Sequence, residues 1–291
     1  MKEFTVGPEY AGQRLDVFVA GQHPQFTRSS LLGLFKNGLV TVNNEIEKAG
    51  YKLRPQDNVI VDQAMLTADP PAIELPVIFE DDNVVVIDKP AGVLTHSKGA
   101  LNTEATVASF IKEKITDERL QGNRAGIVHR LDRHTSGVII TAKTDKALKH
   151  LQKQFSQRKV KKTYIAVVEG DLEPAEAIID APIVRNPKRP QTFVVSSTGK
   201  PSVTHYKKLK TFERRGRPYS LVELKPRTGR THQLRVHMAY IGYPIVGDRV
   251  YGRAADEMLL HARSLELTLP DSTRRTFESE VPDRIKEFTD L

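Results

Sequence analysis

The chain contains no cysteine and no tryptophan. Without cysteine there is no disulfide scaffold, no thiol nucleophile and no thiolate zinc site. Long apolar runs are also missing, and nothing approaches the roughly 20 consecutive apolar residues that a membrane-spanning helix requires. The amino-terminal stretch MKEFTVGPEY is polar and lacks the apolar core of a secretion signal. These absences predict a soluble protein of the cytoplasm. What is present suffices to fold: 291 residues, 39% of them hydrophobic, support one or two domains with proper cores.

Charge is unevenly placed. The whole chain has 44 Lys+Arg against 36 Asp+Glu, a net charge of +8. Residues 1–75 hold 7 basic and 9 acidic side chains, so this first part is net −2 and the remainder net +10. Residues 200–235 alone hold 11 basic and 2 acidic side chains. A concentration of this kind points to a polyanion partner, most commonly nucleic acid.

Apolar spacing divides the chain. Gln13–Gly21 has helical period, with Leu15, Phe18 and Val19 on one side. Thr27 is placed to cap a helix over Arg28–Lys36, closed by Asn37-Gly38. Short β segments follow at Leu39–Val42 and Val59–Val61, with turns at Asn43-Asn44 and Asp57-Asn58. Residues 64–75, Pro-containing and aperiodic, read as a linker between a small domain over 1–63 and a large one over 76–291. In the large domain, strands are expected at Val84–Asp88, Ala125–Val128, Val138–Ala142, Tyr164–Glu169, Thr192–Val195, Val203–Leu209 and Ser220–Leu224. Helices are expected from Thr103 to Lys114, over Asp145–Gln157, and from Leu234 to Gly242. Many strands with few helices, and no βαβ repeat, predict an α+β fold with a mixed or antiparallel sheet.

The densest polar constellation is GIVHRLDRHTSGV at residues 126–138, a loop between two β-like stretches. Loops on rigid sheets are where catalytic groups tend to sit. An acid among cations is favoured as the carboxylate, which suits nucleophilic attack or electrostatic support better than general-acid work. Read alone, Asp132 is better taken as a salt-bridged loop acid. His129 and His134 are five apart, which is not the spacing of a helical metal pair, and no metal site is expected. Thr135 and Ser136 lack the GxSxG elbow and read as turn-forming hydroxyls.

Residues 129–137, HRLDRHTSG, resemble the signature loop of the RluA-type RNA pseudouridine synthases. Four further segments resemble that family in the expected order. They are Glu80–Gly92 with His96, then Lys161–Gly170, then Pro226–Met238 running on to Gly242–Asp248, and finally Leu260-His261-Ala262. In front of them, Arg14-Leu15-Asp16, Thr27-Arg28-Ser29, Gly38–Asn43 and Asp57-Asn58-Val59 resemble an S4 RNA-binding domain.

The resemblance implies a pseudouridine synthase fold behind a small α+β arm, and isomerisation of uridine in structured RNA without cofactor, metal or energy input. Ribosomal RNA is favoured and transfer RNA is the alternative. It implies Asp132 as the catalytic carboxylate, Arg235 as its paired arginine and Tyr164 as the ring that stacks on the target base. Arg130 would fill the space the base leaves, and Leu260 would pack behind Tyr164. His129 and Arg230 would contribute to substrate binding, with Arg14, Arg28 and Lys36 presented by the arm. The basic stretches Arg158–Lys162, Arg185–Arg189 and Lys207–Arg217 would hold phosphates. A monomer is expected, since no amphipathic partner helix is evident. A non-catalytic RNA-binding or ribosome-assembly protein of the same fold is the alternative, although such a protein needs none of Asp132, Tyr164 and Arg235. A hydrolase using Asp132 with a histidine would need a metal or a second carboxylate.

Overall fold

The computed structural model describes residues 1–67, 70–97, 104–122 and 124–290. Two units emerge: Met1–Ile73 with His96–Phe110, and Glu74–Thr95 with Ile111–Leu291.

In the first unit, β1 (Lys2–Thr5), β2 (Val40–Val42), β3 (Glu45–Ile46) and β4 (Asn58–Val61) form an antiparallel sheet in the order β1-β4-β2-β3. Helices α1 (Leu15–Gly21) and α2 (Arg28–Lys36) pack their Leu15, Phe18, Leu31 and Leu34 with Val40 and Val59 in one core. The start of α2 is local chemistry, because Thr27 Oγ1 accepts the Ser30 N–H at 3.3 Å. Its end is equally local, with Gly38 at φ 67° in the left-handed region. Asn43 and Asn44, at φ 52° and 67°, turn β2 into β3. Helix α1 starts at Leu15 and not at Gln13, because Arg14 is extended and bridges to Lys52. A single helical turn, α3 (Ala64–Thr67), opens the stretch expected as a linker.

The second unit is built on a nine-stranded mixed sheet. Its strands are β5 (Val77–Glu80), β6 (Val84–Lys89), β7 (Ser136–Ala142), β8 (Lys161–Glu169), β9 (Glu176–Asp180), β12 (Val203–Arg214), β13 (Arg217–Pro226), β14 (Leu260–Thr268) and β15 (Arg274–Glu278). Their order is β5-β6-β7-β14-β8-β13-β12-β9, with β15 also pairing β14. Only β7 and β14 run parallel; the other paired neighbours are antiparallel. A separate hairpin joins β10 (Ile183–Arg185) to β11 (Phe193–Val195). The unit is α+β, as the strand-rich, non-repeating pattern predicts.

Helix α4 (Val107–Lys112) straddles the boundary between the two units. The expected cap Thr103 lies outside the described residues. Thr106 caps this helix instead: its Oγ1 accepts the Ser109 N–H, and Ser109 Oγ accepts the Thr106 N–H. Helix α5 (Asp145–Ser156), capped by Thr144, buries Ala147 and Leu151 against Val84, Val138 and Ile140 of the sheet. Helix α6 (Gln233–Tyr240) buries Leu234 and Met238 among Ala166, Val222, Leu224 and Leu260. The chain closes with α7 (Asp283–Thr289), anchored by Ile285.

Two strand expectations change. Ala125–Val128 is not a strand, and makes only an isolated bridge from Ile127 to Thr141. Gly126 sits at φ 69°, where a Cβ would fall 2.3 Å from the Ala142 carbonyl oxygen, so the chain kinks there. The pair expected at Val203–Leu209 and Ser220–Leu224 is one long hairpin, turned by Arg215 and Gly216 at φ 52° and 71°.

Candidate active site

The loop that leads into β7 carries Asp132, and its neighbours on both sides are pinned. Leu131, buried, gives its N–H to Thr95 Oγ1 at 3.2 Å and takes the Thr95 hydroxyl on its carbonyl at 2.9 Å. On the other side the Arg133 carbonyl accepts the Gly92 N–H at 2.8 Å and the Lys89 ammonium at 3.2 Å. Lys89, at the end of β6, is fully buried and also donates to the Pro90 and Val93 carbonyls, each at 2.9 Å. Burial draws its pKa down to about 7, while the Asp132 charge opposes that shift. Asp132 is therefore presented from a backbone with little freedom.

Arg235 reaches Asp132 from α6, with Nη1 3.1 Å from Oδ2. Its other two nitrogens are taken by Asp248: Nε to Oδ2 at 2.7 Å and Nη2 to Oδ1 at 2.8 Å. Asp248 in turn accepts the Val250 and Tyr251 N–H groups. Burial works against the Arg235 charge, but the hydrogen bonds and charge of Asp248, with Asp132 added, hold the guanidinium well above its ordinary range. Burial would also push the Asp248 carboxyl up, and Arg235 with the two amides pulls it below the usual carboxylate range. Sequence reasoning placed Asp248 at the end of the family-like segment Gly242–Asp248 but gave it no role.

The turn before α6 is set by Gln233, whose Oε1 accepts the Thr228 hydroxyl at 2.6 Å and the Arg230 N–H at 3.0 Å. His232 starts the helix at φ 57°, and its Nε2 lies 3.8 Å from Asp132 Oδ2. Tyr164 on β8 registers with Ala262 on β14 and Leu224 on β13. Burial, together with the Asp132 charge, holds its phenol well above the ordinary tyrosine range, so at neutral pH it is an uncharged ring. Leu260 is buried in the cluster against which Tyr164 packs. His129 stacks on Phe155 at 4.6 Å between centroids, and its Nε2 accepts the Ile140 N–H at 3.1 Å. Burial, with Lys162 nearby, lowers its pKa to about 3, so it is a neutral wall residue.

These groups line one cleft of about 440 Å³, inside the range of roughly 300–1,000 Å³ typical of small-ligand sites. Asp132, Arg235, Tyr164, His129, Arg130, Arg230 and Leu260 all face it. The cations Arg158, Lys162 and Arg227 line it as well. The stretch Lys207–Arg217 does not contribute to its wall. There, Lys208 pairs with Asp171 and Glu173, Lys210 donates to the Thr289 carbonyl and Arg214 to the Glu287 carbonyl. Ser136 is bonded to His261 Nδ1 at 2.8 Å and accepts from Arg284, which fits a structural hydroxyl.

Arg14, Arg28 and Lys36 belong to the first unit. Arg14 and Arg28 share the buried Asp16 carboxylate, each at 2.9 Å from Oδ2, while remaining 43% and 51% exposed. One acid therefore offsets part of the charge that the pair offers a ligand. Lys36 is exposed in the last turn of α2. Among the described residues, no group of three or more His, Asp or Glu side chains could hold a metal ion.

Comparison with known proteins bears directly on this site. The model of the RNA pseudouridylate synthase family matches residues 83–240, which include Asp132, Tyr164 and Arg235. The chain is 38% identical to ribosomal large subunit pseudouridine synthase D of Nitrosomonas europaea, covering 97% of this chain and 85% of that protein. It is also 38% identical to the protein of that name from Pseudomonas aeruginosa, over 94% of this chain and 90% of the other. Among solved structures it resembles human RNA pseudouridylate synthase domain containing 1, with 29% identity and a TM-score of 0.59 over 72% of this chain and 85% of the other. The fold, the ordered segments around the cleft and these matches agree: the chain belongs to the RNA pseudouridylate synthase family, isomerases that convert uridine in RNA to pseudouridine.

Proposed function

We propose that this enzyme isomerises specific uridines of ribosomal RNA, and that Asp132 is the carboxylate that does so. The observation that carries the reading is the Asp132–Arg235 pair, at 3.1 Å, on the wall of a cleft edged by cations. The reaction breaks the N1–C1′ bond of the nucleotide and forms C5–C1′. N1 gains a proton and C5 loses one, so no atom enters or leaves overall. Asp132 attacks the anomeric carbon, attacks uracil C6, or takes a ribose proton; Arg235 is its counter-ion in each route. A uridine in folded RNA must first leave its stack, at a cost of a few kcal/mol. Stacking on Tyr164 returns roughly 1–3 kcal/mol, and Arg130, on the cleft wall, fills the vacancy in this reading.

The target assignment to ribosomal RNA rests on the names of similar proteins from Nitrosomonas europaea and Pseudomonas aeruginosa. The first unit, with Arg14, Arg28 and Lys36, serves as an S4-like arm on the same RNA, ahead of a linker and the catalytic domain. The enzyme works as a monomer in the cytoplasm. Among the described residues no helix is long and apolar enough to cross a membrane. Mapping pseudouridine across all RNA in cells with and without the protein tests the assignment. Loss of ribosomal sites is expected; loss confined to transfer RNA would overturn the ribosomal target, and no loss at all would overturn the function.

A further inference from the structure

His232 has more bonding than a helix-capping residue needs. It makes no side-chain cap to α6 and occupies the left-handed region at φ 57°, which is uncommon for residues other than glycine. Its ring is engaged by Tyr251, whose hydroxyl lies 2.8 Å from His232 Nδ1. Tyr251 is outside the cleft wall, whereas His232 is on it.

The proton directions follow from the chain of partners. The Phe193 N–H can only donate, and does so to the Tyr251 oxygen at 2.9 Å. The Tyr251 hydroxyl keeps its own proton to donate, and His232 Nδ1 is an acceptor within its reach at 2.8 Å. With Tyr251 donating to Nδ1, the hydrogen sits on Nε2, the nitrogen that faces Asp132 Oδ2 across 3.8 Å, beyond direct hydrogen-bond range. Burial lowers the pKa of His232 despite the opposing Asp132 charge, which agrees with a neutral ring. Two edge-on contacts hold the ring plane, Phe193 at 5.6 Å and Tyr251 at 5.7 Å. Tyr251 also lies under the Arg235 guanidinium, 5.1 Å from its centroid. One tyrosine thus supports both groups that approach the Asp132 carboxylate from α6.

We propose that His232 is a positioning residue for Asp132: Tyr251 donates to Nδ1 and holds the ring plane, and the Nε2–H, 3.8 Å from Oδ2 in this structure, closes to a hydrogen bond that orients the carboxylate when RNA is bound. The proposal rests on the reading of Asp132 as the catalytic carboxylate. Its test compares Asp132→Asn, His232→Asn, His232→Gln, Tyr251→Phe and the His232→Asn/Tyr251→Phe double variant in single-turnover pseudouridine formation, with RNA affinity measured alongside. Asparagine tolerates the left-handed conformation and can keep the Tyr251 bond, but is too short to reach Asp132. A purely structural role therefore leaves His232→Asn active. The positioning role lowers its rate at least 10-fold with RNA affinity within twofold. His232→Gln, long enough to donate to Asp132, should recover part of that loss. Tyr251→Phe should be slowed, and the double variant should be no slower than His232→Asn. An inactive Asp132→Asn with His232→Asn within twofold of the parent rate would overturn the positioning role alone. An active Asp132→Asn would overturn the underlying reading, and the proposal with it.

Discussion

Asp248 grips Arg235 through two hydrogen bonds, 2.7 Å to Nε and 2.8 Å to Nη2, and so turns Nη1 towards Asp132. The planar guanidinium is held by one carboxylate in order to address the other.

Asp248→Asn tests that division of labour. Loss of its charge frees Arg235 to rotate, so single-turnover rate should fall roughly 10- to 100-fold with RNA affinity nearly unchanged. Because the pair is buried, unfolding free energy should fall by about 3 kcal/mol, measured by urea denaturation. An unaltered rate would mean that Asp132 suffices to orient Arg235.

Lys162 lines the cleft, and burial lowers its pKa to about 8. Below pH 8 it is an ammonium and adds one positive charge; above pH 8 it is neutral. RNA affinity should therefore weaken as pH rises from 7 to 9, with the slope of log K against log salt shrinking by roughly 1. Lys162→Arg keeps its charge throughout and should flatten that dependence. Equal pH profiles for the two proteins would remove Lys162 from RNA contact.

Lys89 links pH to stability. Its folded pKa is about 7 against an ordinary 10.5, so between those values the unfolded chain binds a proton that the folded chain does not. Stability then rises with pH across that window and is lowest below pH 7. Lys89→Met should abolish this component. It should also cost about 2 kcal/mol or more by leaving three carbonyls without their donor. Thermal unfolding at pH 6.5 and 9.5 reads both effects.

Tyr164 separates ring from hydroxyl. Since its phenol stays protonated at neutral pH, Tyr164→Phe should retain target binding. Tyr164→Ala should weaken it by the roughly 1–3 kcal/mol of a base stack. Equal binding by both variants, measured on a short RNA containing the target uridine, would exclude stacking.

What was legible in the sequence was local or contiguous. Thr27 capping α2 and Gly38 ending it are decided by a few neighbouring atoms, and both lie where their residue types predict. Asp132, Tyr164 and Arg235 stand out within dense motifs, and all three line one cleft. The features that escaped depend on tertiary pairing or on unusual turn residues. Asp248 acquires its role only when α6 brings Arg235 beside it. Arg14 and Arg28 read as free cations until folding places Asp16 between them. The apolar Ala125–Val128 looked like a strand because nothing in its pattern reveals the close approach of Gly126 to Ala142. Arg215 is an uncommon residue for a left-handed hairpin position, so the β12–β13 turn was hidden.

The central claim is that the Asp132 carboxylate performs the isomerisation. Its most direct test is single-turnover pseudouridine formation by Asp132→Asn on ribosomal RNA, with protein in excess and binding measured on the same RNA. The account predicts parent-like binding and no detectable pseudouridine. Pseudouridine formed by that variant at a rate near the parent's would contradict it.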